Sequence, residues 1–163
     1  MSEEKLEVID DNFNVIGVAS REEVIKNNLK HKTSLIIVKN SKNELYVRQR
    51  SRKKKIFPLK WVVSAGGGVN LGETFESAAR RELKEELGIE ASLKYLYDFD
   101  YESTGNNYKA KVYLATYDGE ITVNKEECEQ GKWMSKEEVR ELIDKDLLCP
   151  DTAIFMQKYF ELF

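Results

Sequence analysis

Residues 67–89 of the chain read Gly-Gly-Val-Asn-Leu-Gly-Glu-Thr-Phe-Glu-Ser-Ala-Ala-Arg-Arg-Glu-Leu-Lys-Glu-Glu-Leu-Gly-Ile. Residues 73–87 lack Pro and Gly and are rich in Ala, Leu, Glu, Arg and Lys, which predicts a helix that ends at Gly88. Glycines at residues 66–68 precede it, where backbone without side chains can approach a ligand or offer a carbonyl oxygen to a metal ion. The stretch therefore predicts a helix with a ligand-binding segment before it.

Three acidic residues of this helix share one face. Glu82, Glu85 and Glu86 stand at positions i, i+3 and i+4, whereas Leu83 and Leu87 lie on a neighbouring face suited to the core. Like charges at these spacings destabilise a helix by roughly 0.2–0.5 kcal/mol per pair. A solvated surface would tolerate them, but the adjacent glycines favour a site for a hard cation such as Mg²⁺, which prefers oxygen ligands.

The composition limits the other kinds of site. The chain has 163 residues, with 26 Lys plus Arg, 29 Asp plus Glu, one His and two Cys. We expect a single domain over residues 1–163, because roughly 150 residues is a typical domain length. His31, Cys128 and Cys149 cannot form a Cys/His zinc cluster, so any metal must be held by oxygen atoms.

Nothing in the chain resembles a targeting or membrane segment. The first five residues, Met-Ser-Glu-Glu-Lys, are acidic, and no stretch contains the roughly 18 apolar residues that a membrane span needs. We therefore expect a cytoplasmic protein that does not bind a membrane.

Short strands and a few helices alternate along the rest of the chain, which predicts an α+β fold. Apolar runs predict strands at residues 6–9 and 15–18, forming a hairpin, at 34–38 and 44–48, forming a second hairpin, and at 61–64, 93–101, 108–117 and 132–134. Capping patterns predict further helices over residues 20–28 and 135–143 and from residue 150 onward. The last helix is apolar and would pack internally or form a homodimer surface.

The stretch also carries a family resemblance. Every constrained position of the Nudix box, Gly-x5-Glu-x7-Arg-Glu-U-x-Glu-Glu-x-Gly-U with U a bulky aliphatic residue, is filled here by Gly67, Glu73, Arg81, Glu82, Leu83, Glu85, Glu86, Gly88 and Ile89. The chain therefore resembles the Nudix hydrolases over most of its length. This implies an α/β/α sandwich with a mixed sheet and a loop-helix-loop catalytic motif, to which the N-terminal hairpin is added.

The resemblance implies a reaction and a metal. Nudix hydrolases cleave the diphosphate linkage of a nucleoside diphosphate joined to another moiety, by attack of water on phosphorus assisted by Mg²⁺ or Mn²⁺. By this resemblance Glu85 and Glu86 are the principal metal ligands, Glu82 is a ligand or the general base, and the Gly66 carbonyl is a further ligand.

The same resemblance implies supporting roles for other residues. Arg81 and Glu73 would form a salt bridge that orients the box, which begins at Gly67. A further acidic ligand is implied shortly before Trp133. Glu127 is the candidate by spacing, Glu126 and Glu129 are close enough to compete, and an exposed acidic loop remains the alternative for all three.

Basic residues are concentrated in one segment. Residues 48–60 hold seven Lys or Arg and no acidic residue, although the whole chain has a net charge of −3. A solvated loop explains such a run, and a cationic rim that attracts phosphates is the functional alternative. We predict that Arg50, and with it Arg48, contacts the substrate phosphates.

Two other functions remain open. Residues 29–33 and the hairpin resemble the Nudix branch that includes isopentenyl-diphosphate isomerase, but that enzyme uses several His and a Cys before the box, where residues 63–67 here are Val-Ser-Ala-Gly-Gly. A non-catalytic nucleotide- or RNA-binding module would use residues 52–55. The intact box and the acidic net charge favour a hydrolase with a phosphorylated small-molecule substrate over a nucleic-acid partner.

Overall fold

The computed structural model describes residues 4–163, which contain nine strands and four helices. In chain order they are β1 (Lys5–Ile9), β2 (Val15–Ser20), α1 (Arg21–Lys26), β3 (His31–Lys39), β4 (Leu45–Arg50), β5 (Trp61–Val63), β6 (Ala65–Gly68), α2 (Phe75–Leu87), β7 (Leu93–Ser103), β8 (Asn106–Thr116), β9 (Cys128–Met134), α3 (Lys136–Asp144) and α4 (Pro150–Leu162). Residues 1–3 of the acidic N-terminus lie outside this part. None of the helices described is both long and apolar enough to span a membrane.

β3 lies at the centre of a mixed sheet. It runs parallel to β8, from the pair His31–Tyr108 to the pair Lys39–Thr116, and antiparallel to β6. β1 joins β3 near its start, and β2 and β7 extend the sheet through the hairpins β1–β2 and β7–β8. The predicted α+β class and the N-terminal hairpin are thereby confirmed.

The second predicted hairpin diverges directly after its turn. β3 and β4 pair at Lys39 and Leu45, after which β4 pairs instead with β5 and β9. The prediction of a strand at 132–134 was too short, because β9 begins at Cys128 and pairs with β4 as far as Arg50. β3 and β4 therefore carry separate branches of the sheet.

Alternate side chains of β3 build two hydrophobic cores, as the period of a strand requires. On one face, α2 covers the sheet through Leu83 and Leu87, which pack with Ile36 and Val38. The other face is covered by α3 and α4, whose buried residues Val139, Phe155, Met156 and Tyr159 share a core with Leu35 and Ile37. This arrangement confirms the α/β/α sandwich and shows that α4 packs internally.

The helix of the quoted stretch begins later than the sequence predicts. Its N-cap is Thr74, whose side chain accepts a hydrogen bond from the Ser77 backbone N–H. Glu73 lies outside the helix, and its carboxylate accepts the N–H of Asn70. At the other end Gly88 has a φ of 68°, a left-handed conformation that favours glycine and ends the helix where predicted.

Leu83→Ala is expected to lower the free energy of unfolding by about 2–5 kcal/mol, because the side chain is fully buried between α2 and the sheet. Leu71→Ala is the control, since Leu71 is exposed and its loss should change the stability by less than about 0.5 kcal/mol. Urea denaturation measures both values. Similar small losses in the two variants would contradict the packing of α2 on the sheet.

Candidate active site

Arg81, in the middle of α2, is bonded to the segment before the helix and to strand β6. Its Nε and Nη2 donate to the two carboxylate oxygens of Glu73 at 2.8 and 3.0 Å, and Nη2 also donates to the Gly68 carbonyl at 2.9 Å. These bonds raise the pKa of Arg81, and hydrogen bonding to Arg81 lowers the pKa of Glu73. The predicted Arg81–Glu73 salt bridge is present and joins α2 to the segment before it, and the bond to the Gly68 carbonyl joins α2 to β6.

Glu82 lies against Gly67 of strand β6. A Cβ atom on Gly67 would lie 2.5 Å from the Glu82 Cδ, so only glycine leaves room for the carboxylate. Glu82 is 9% exposed and accepts a hydrogen bond from Arg81 Nη1 at 2.7 Å. Burial raises the pKa of Glu82 to about 7, and the charge of Glu86 adds to the rise while Arg81 opposes it.

The glycines themselves differ from the expected loop, because residues 65–68 form strand β6. Gly66 pairs with Leu35 of β3, and a Cβ on Gly66 would lie 2.8 Å from the Leu35 side chain. Sheet pairing holds this backbone in place beside α2. The glycines therefore serve close packing as well as access to the backbone.

Glu86 accepts hydrogen bonds from a backbone N–H and from a buried arginine. Its Oε1 accepts the Gly66 N–H at 2.9 Å, and its Oε2 accepts Arg48 Nη2 at 2.8 Å. Arg48 is buried and also donates to the Ser64 carbonyl at 2.6 Å. The Arg48 guanidinium is thus already bonded to Glu86, although Arg48 also lines the cavity, and its contact with substrate stays a prediction.

Glu85 has a different environment from the other two glutamates. Its side chain is 58% exposed, and Arg81 Nη1 lies 3.3 Å from its Oε2. Helical spacing places Glu85 on the same face as Glu82 and Glu86, but neither a strand nor a buried cation holds it. Its predicted part as a principal metal ligand stays a prediction.

The donor set suits a hard divalent cation. Glu82 and Glu86 lie within hydrogen-bonding reach of each other, so their charges repel unless a proton or a cation compensates them. The Gly66 N–H points to Glu86, which places the Gly66 carbonyl on the same free edge of β6. Within residues 4–163 no three acidic, His or Cys side chains already form a metal cage. These oxygens therefore fit a cation that keeps part of its water shell, as Mg²⁺ does.

A cavity of about 480 Å³ opens beside this cluster. Its lining includes candidate residues from the box, from β4 and from the segments that follow β4 and precede β9: Gly66, Gly67, Glu86, Arg48, Arg50, Lys54 and Glu127. Glu82 and Glu85 are not part of the lining. Of the three glutamates, the structure therefore places only Glu86 in the cavity wall.

Glu127 is the one of the three acidic candidates before Trp133 that lines the cavity. Lys54 Nζ contacts its carboxylate, and this contact lowers the pKa of Glu127. Glu129 instead pairs with Arg52 at 3.0 Å, and Glu126 is exposed. The geometry favours Glu127 over its neighbours, and its part as a ligand stays a prediction.

Arg50 also lines the cavity, but two of its donors are used within its own loop. Its Nε and Nη2 donate to the Ile56 carbonyl at 3.2 and 2.9 Å. This contact folds residues 51–59 back toward β4 at the cavity. Contact between Arg50 and a phosphate stays a prediction.

Sequence reasoning missed a polar pair in the same cavity. Tyr108 Oη donates to Asp151 Oδ2 at 2.8 Å, and burial, together with Asp151, raises the pKa of Tyr108. His31 lines the cavity near Tyr108, and burial lowers the pKa of His31. No local pattern joins these residues, because they come from β3, β8 and the start of α4.

Comparison with known proteins agrees with this geometry. The profile of the NUDIX domain family matches residues 29–158. A Pseudomonas aeruginosa protein named as an uncharacterized Nudix hydrolase is 30% identical over 154 residues, 94% of this chain and 91% of that protein. A crystal structure of a Deinococcus radiodurans protein superposes with a TM-score of 0.83 at 28% identity, covering 95% of this chain and 98% of that chain.

One similar protein carries an isomerase name. A Photorhabdus laumondii subsp. laumondii protein named isopentenyl-diphosphate Delta-isomerase 2 is 29% identical over 147 residues, 87% of this chain and 83% of that protein. This similarity agrees with the likeness between the sequence and the isomerase branch.

Gly67→Ala is expected to weaken divalent-cation binding by about tenfold or more, because the new methyl group displaces the Glu82 carboxylate. Gly17→Ala is the matched control, since no atom lies within 4 Å of a Cβ built there. Titration calorimetry with Mn²⁺ compares the two. Unchanged affinity in Gly67→Ala would show that Glu82 does not depend on this space.

The affinity for a divalent cation is expected to rise with pH. Burial raises the pKa of Glu82 to about 7, so below that pH a bound proton competes with the cation. Affinity for Mn²⁺ should fall by up to about tenfold for each pH unit below about 7. Glu82→Gln should bind more weakly at high pH and lose this slope. A flat profile in the unmodified protein would rule out proton competition at Glu82.

Proposed function

The chain belongs to the Nudix hydrolase family, and from this premise we propose that it is a Mg²⁺-dependent hydrolase of a diphosphate-containing metabolite. Nudix hydrolases act on phosphorus-containing acid anhydrides, so the chain is an enzyme of this class. The bond that we propose for cleavage is the diphosphate linkage of a nucleoside diphosphate joined to another moiety, or of a related compound. Mn²⁺ is an alternative metal, since it accepts the same ligands.

The paired carboxylates of Glu82 and Glu86 are the observation on which the proposal rests. Glu82 is buried and Glu86 is partly buried in the cavity wall, and the two lie close together next to a backbone free of side chains. Mg²⁺ bound there would polarise the phosphoryl oxygens and lower the pKa of a coordinated water. A cation also makes it possible for an anionic diphosphate to approach an acidic helix.

The surrounding residues would orient these two carboxylates. Arg48 and the Gly66 N–H hold both oxygens of Glu86, whereas Arg81 holds one oxygen of Glu82. When Glu82 is deprotonated, its carboxylate can accept a proton from the attacking water as the general base, or it can bind the cation. Glu85, which is exposed, is the other candidate for the base.

The isomerase alternative lacks its expected residues. Ser64 and Ala65 stand before the glycines where the isomerase carries a Cys, and His31 is the single His of the chain. Cys149 lines the cavity, but burial raises its pKa to about 11, so its thiol is neutral near pH 7. Hydrolysis therefore fits the site better than isomerisation.

Part of the positive charge that a nucleic-acid-binding surface at residues 52–55 would need is already neutralised. Two of the four cations at residues 52–55 already pair with carboxylates, Arg52 with Glu129 and Lys54 with Glu127. We therefore propose a phosphorylated small molecule as the partner, in the cytoplasm. Homodimer formation also stays a prediction: α4 buries Phe155, Met156 and Tyr159 internally, and Ile154 and Leu162 are exposed.

A substrate panel tests the proposal. Nucleoside diphosphates and triphosphates, nucleotide sugars, dinucleotides and isopentenyl diphosphate are each incubated with the protein and Mg²⁺ or Mn²⁺. We expect a phosphate-bearing product from at least one of the nucleotide classes. Absence of product from every compound would overturn the hydrolase proposal, and isomerisation of isopentenyl diphosphate without release of phosphate would favour the isomerase.

Glu86→Gln is expected to lower kcat/KM for the best substrate by about a hundredfold or more, because it removes a charged ligand. Glu85→Gln tests the other predicted principal ligand in the same assay. Glu90→Gln is the control, since Glu90 is exposed and pairs with Lys84 on the surface. Full activity in both Glu85→Gln and Glu86→Gln would place the metal ligands elsewhere.

A further inference from the structure

We infer that Lys54 is a substrate-binding residue, whose ammonium group leaves Glu127 and binds a phosphate when the substrate enters the cavity. The inference rests on the proposed function and names a residue outside the Nudix box. Lys54 lies in the basic segment between β4 and β5, in which Arg50 was the expected phosphate contact. The contacts of the segment distinguish Lys54 from its neighbours.

Lys54 and Glu127 face the cavity as an ion pair. Both residues line the same cavity as Glu86 and Gly66. Their side chains are 31% and 55% exposed, so each can reach an incoming ligand. Glu127, which neutralises Lys54 when no ligand is bound, is thus also a candidate ligand for the metal ion.

Of the other six cations at residues 48–60, four are engaged elsewhere, and Lys53 and Lys55 are exposed and do not line the cavity. Arg48 is buried on Glu86 and Ser64, Arg50 donates twice to the Ile56 carbonyl, and Arg52 pairs with Glu129. Lys60 contacts the backbone carbonyl of Asp146. Lys54 and Arg48 both pair with a candidate metal ligand, but the Lys54 side chain is 31% exposed and the Arg48 side chain only 9%.

The backbone keeps Lys54 near the cavity after such an exchange. Ser51 N–H donates to the Glu127 carbonyl at 3.0 Å, and Lys54 N–H donates to the Ser51 carbonyl at 3.1 Å. These bonds do not involve either charged group. The ammonium can therefore leave the carboxylate while the loop stays attached to the segment that carries Glu127.

Charge balance favours the exchange. With no ligand bound, Lys54 and Glu127 neutralise each other. When a cation and a diphosphate bind together, Glu127 faces the cation and Lys54 faces a phosphate oxygen, so each charge keeps an opposite partner. Arg48 is held in place more firmly, because its side chain is 9% exposed and its Nε also donates to the Ser64 carbonyl.

Lys54→Met tests whether Lys54 competes with the metal ion for Glu127 and also binds the diphosphate. The probes are Mn²⁺ alone and methylenediphosphonate with Mn²⁺, a diphosphate analogue that is not hydrolysed. Removing the competing ammonium should strengthen binding of Mn²⁺ alone by roughly two- to fivefold, the range for a partly exposed ion pair. Binding of the diphosphonate should weaken by roughly ten- to hundredfold, as expected for a lost charge-assisted hydrogen bond. Titration calorimetry measures both affinities.

Lys55→Met is the matched control, because it removes the same charge from an exposed neighbour outside the cavity lining. Lys54→Arg keeps the charge and should retain most of the diphosphonate affinity, and thermal unfolding checks that each variant is folded. In a Glu127→Gln background, Lys54→Met should no longer strengthen binding of Mn²⁺ alone. Equal effects of Lys54→Met and Lys55→Met would overturn the inference.

The same titrations distinguish two kinds of failure. If the unmodified protein binds the diphosphonate with Mn²⁺ but Lys54→Met binds it equally well, Lys54 has no such role and the proposed function still stands. If the unmodified protein binds neither probe, both the proposed function and the role of Lys54 are wrong.

Discussion

The site depends on how closely α2 approaches strand β6. The Glu82 carboxylate lies beside the Gly67 Cα, where any other residue would place a side chain. Arg81, the preceding residue, bonds Glu73 before the helix and the Gly68 carbonyl in the strand. A buried carboxylate is costly unless it is paired, so this clamp both closes the packing and stabilises the charge of Glu82.

A second constraint is that carboxylates in the cavity wall already have cationic partners. Arg48 holds Glu86 and Lys54 contacts Glu127, and both cations come from β4 or the segment after it. The basic segment therefore neutralises the acidic site across the fold, instead of forming a separate charged surface. The two pairs differ in burial, since Arg48 is fixed and Lys54 is accessible, which makes only the second pair suited to exchange.

Helical periodicity predicted the acidic face correctly but not its environments. Glu82, Glu85 and Glu86 do share a side of α2, yet Glu82 is buried, Glu85 is exposed and Glu86 is bound by a strand and an arginine. A spacing of three or four residues shows which side chains are neighbours. It carries no information about the element that lies opposite them, so it could not show that Arg48 contacts Glu86.

The sequence by itself determined the α+β class, most helices and strands, and the Arg81–Glu73 bridge, because short-range patterns and an intact motif specify them. It also predicted that any metal would have oxygen ligands, since His and Cys are too few. Only the tertiary structure decided that the glycines form a strand, that Lys54 contacts Glu127, and that Tyr108 meets Asp151 in the same cavity. Such contacts join residues far apart in the chain, and they depend on strand pairing and register, which no local pattern encodes.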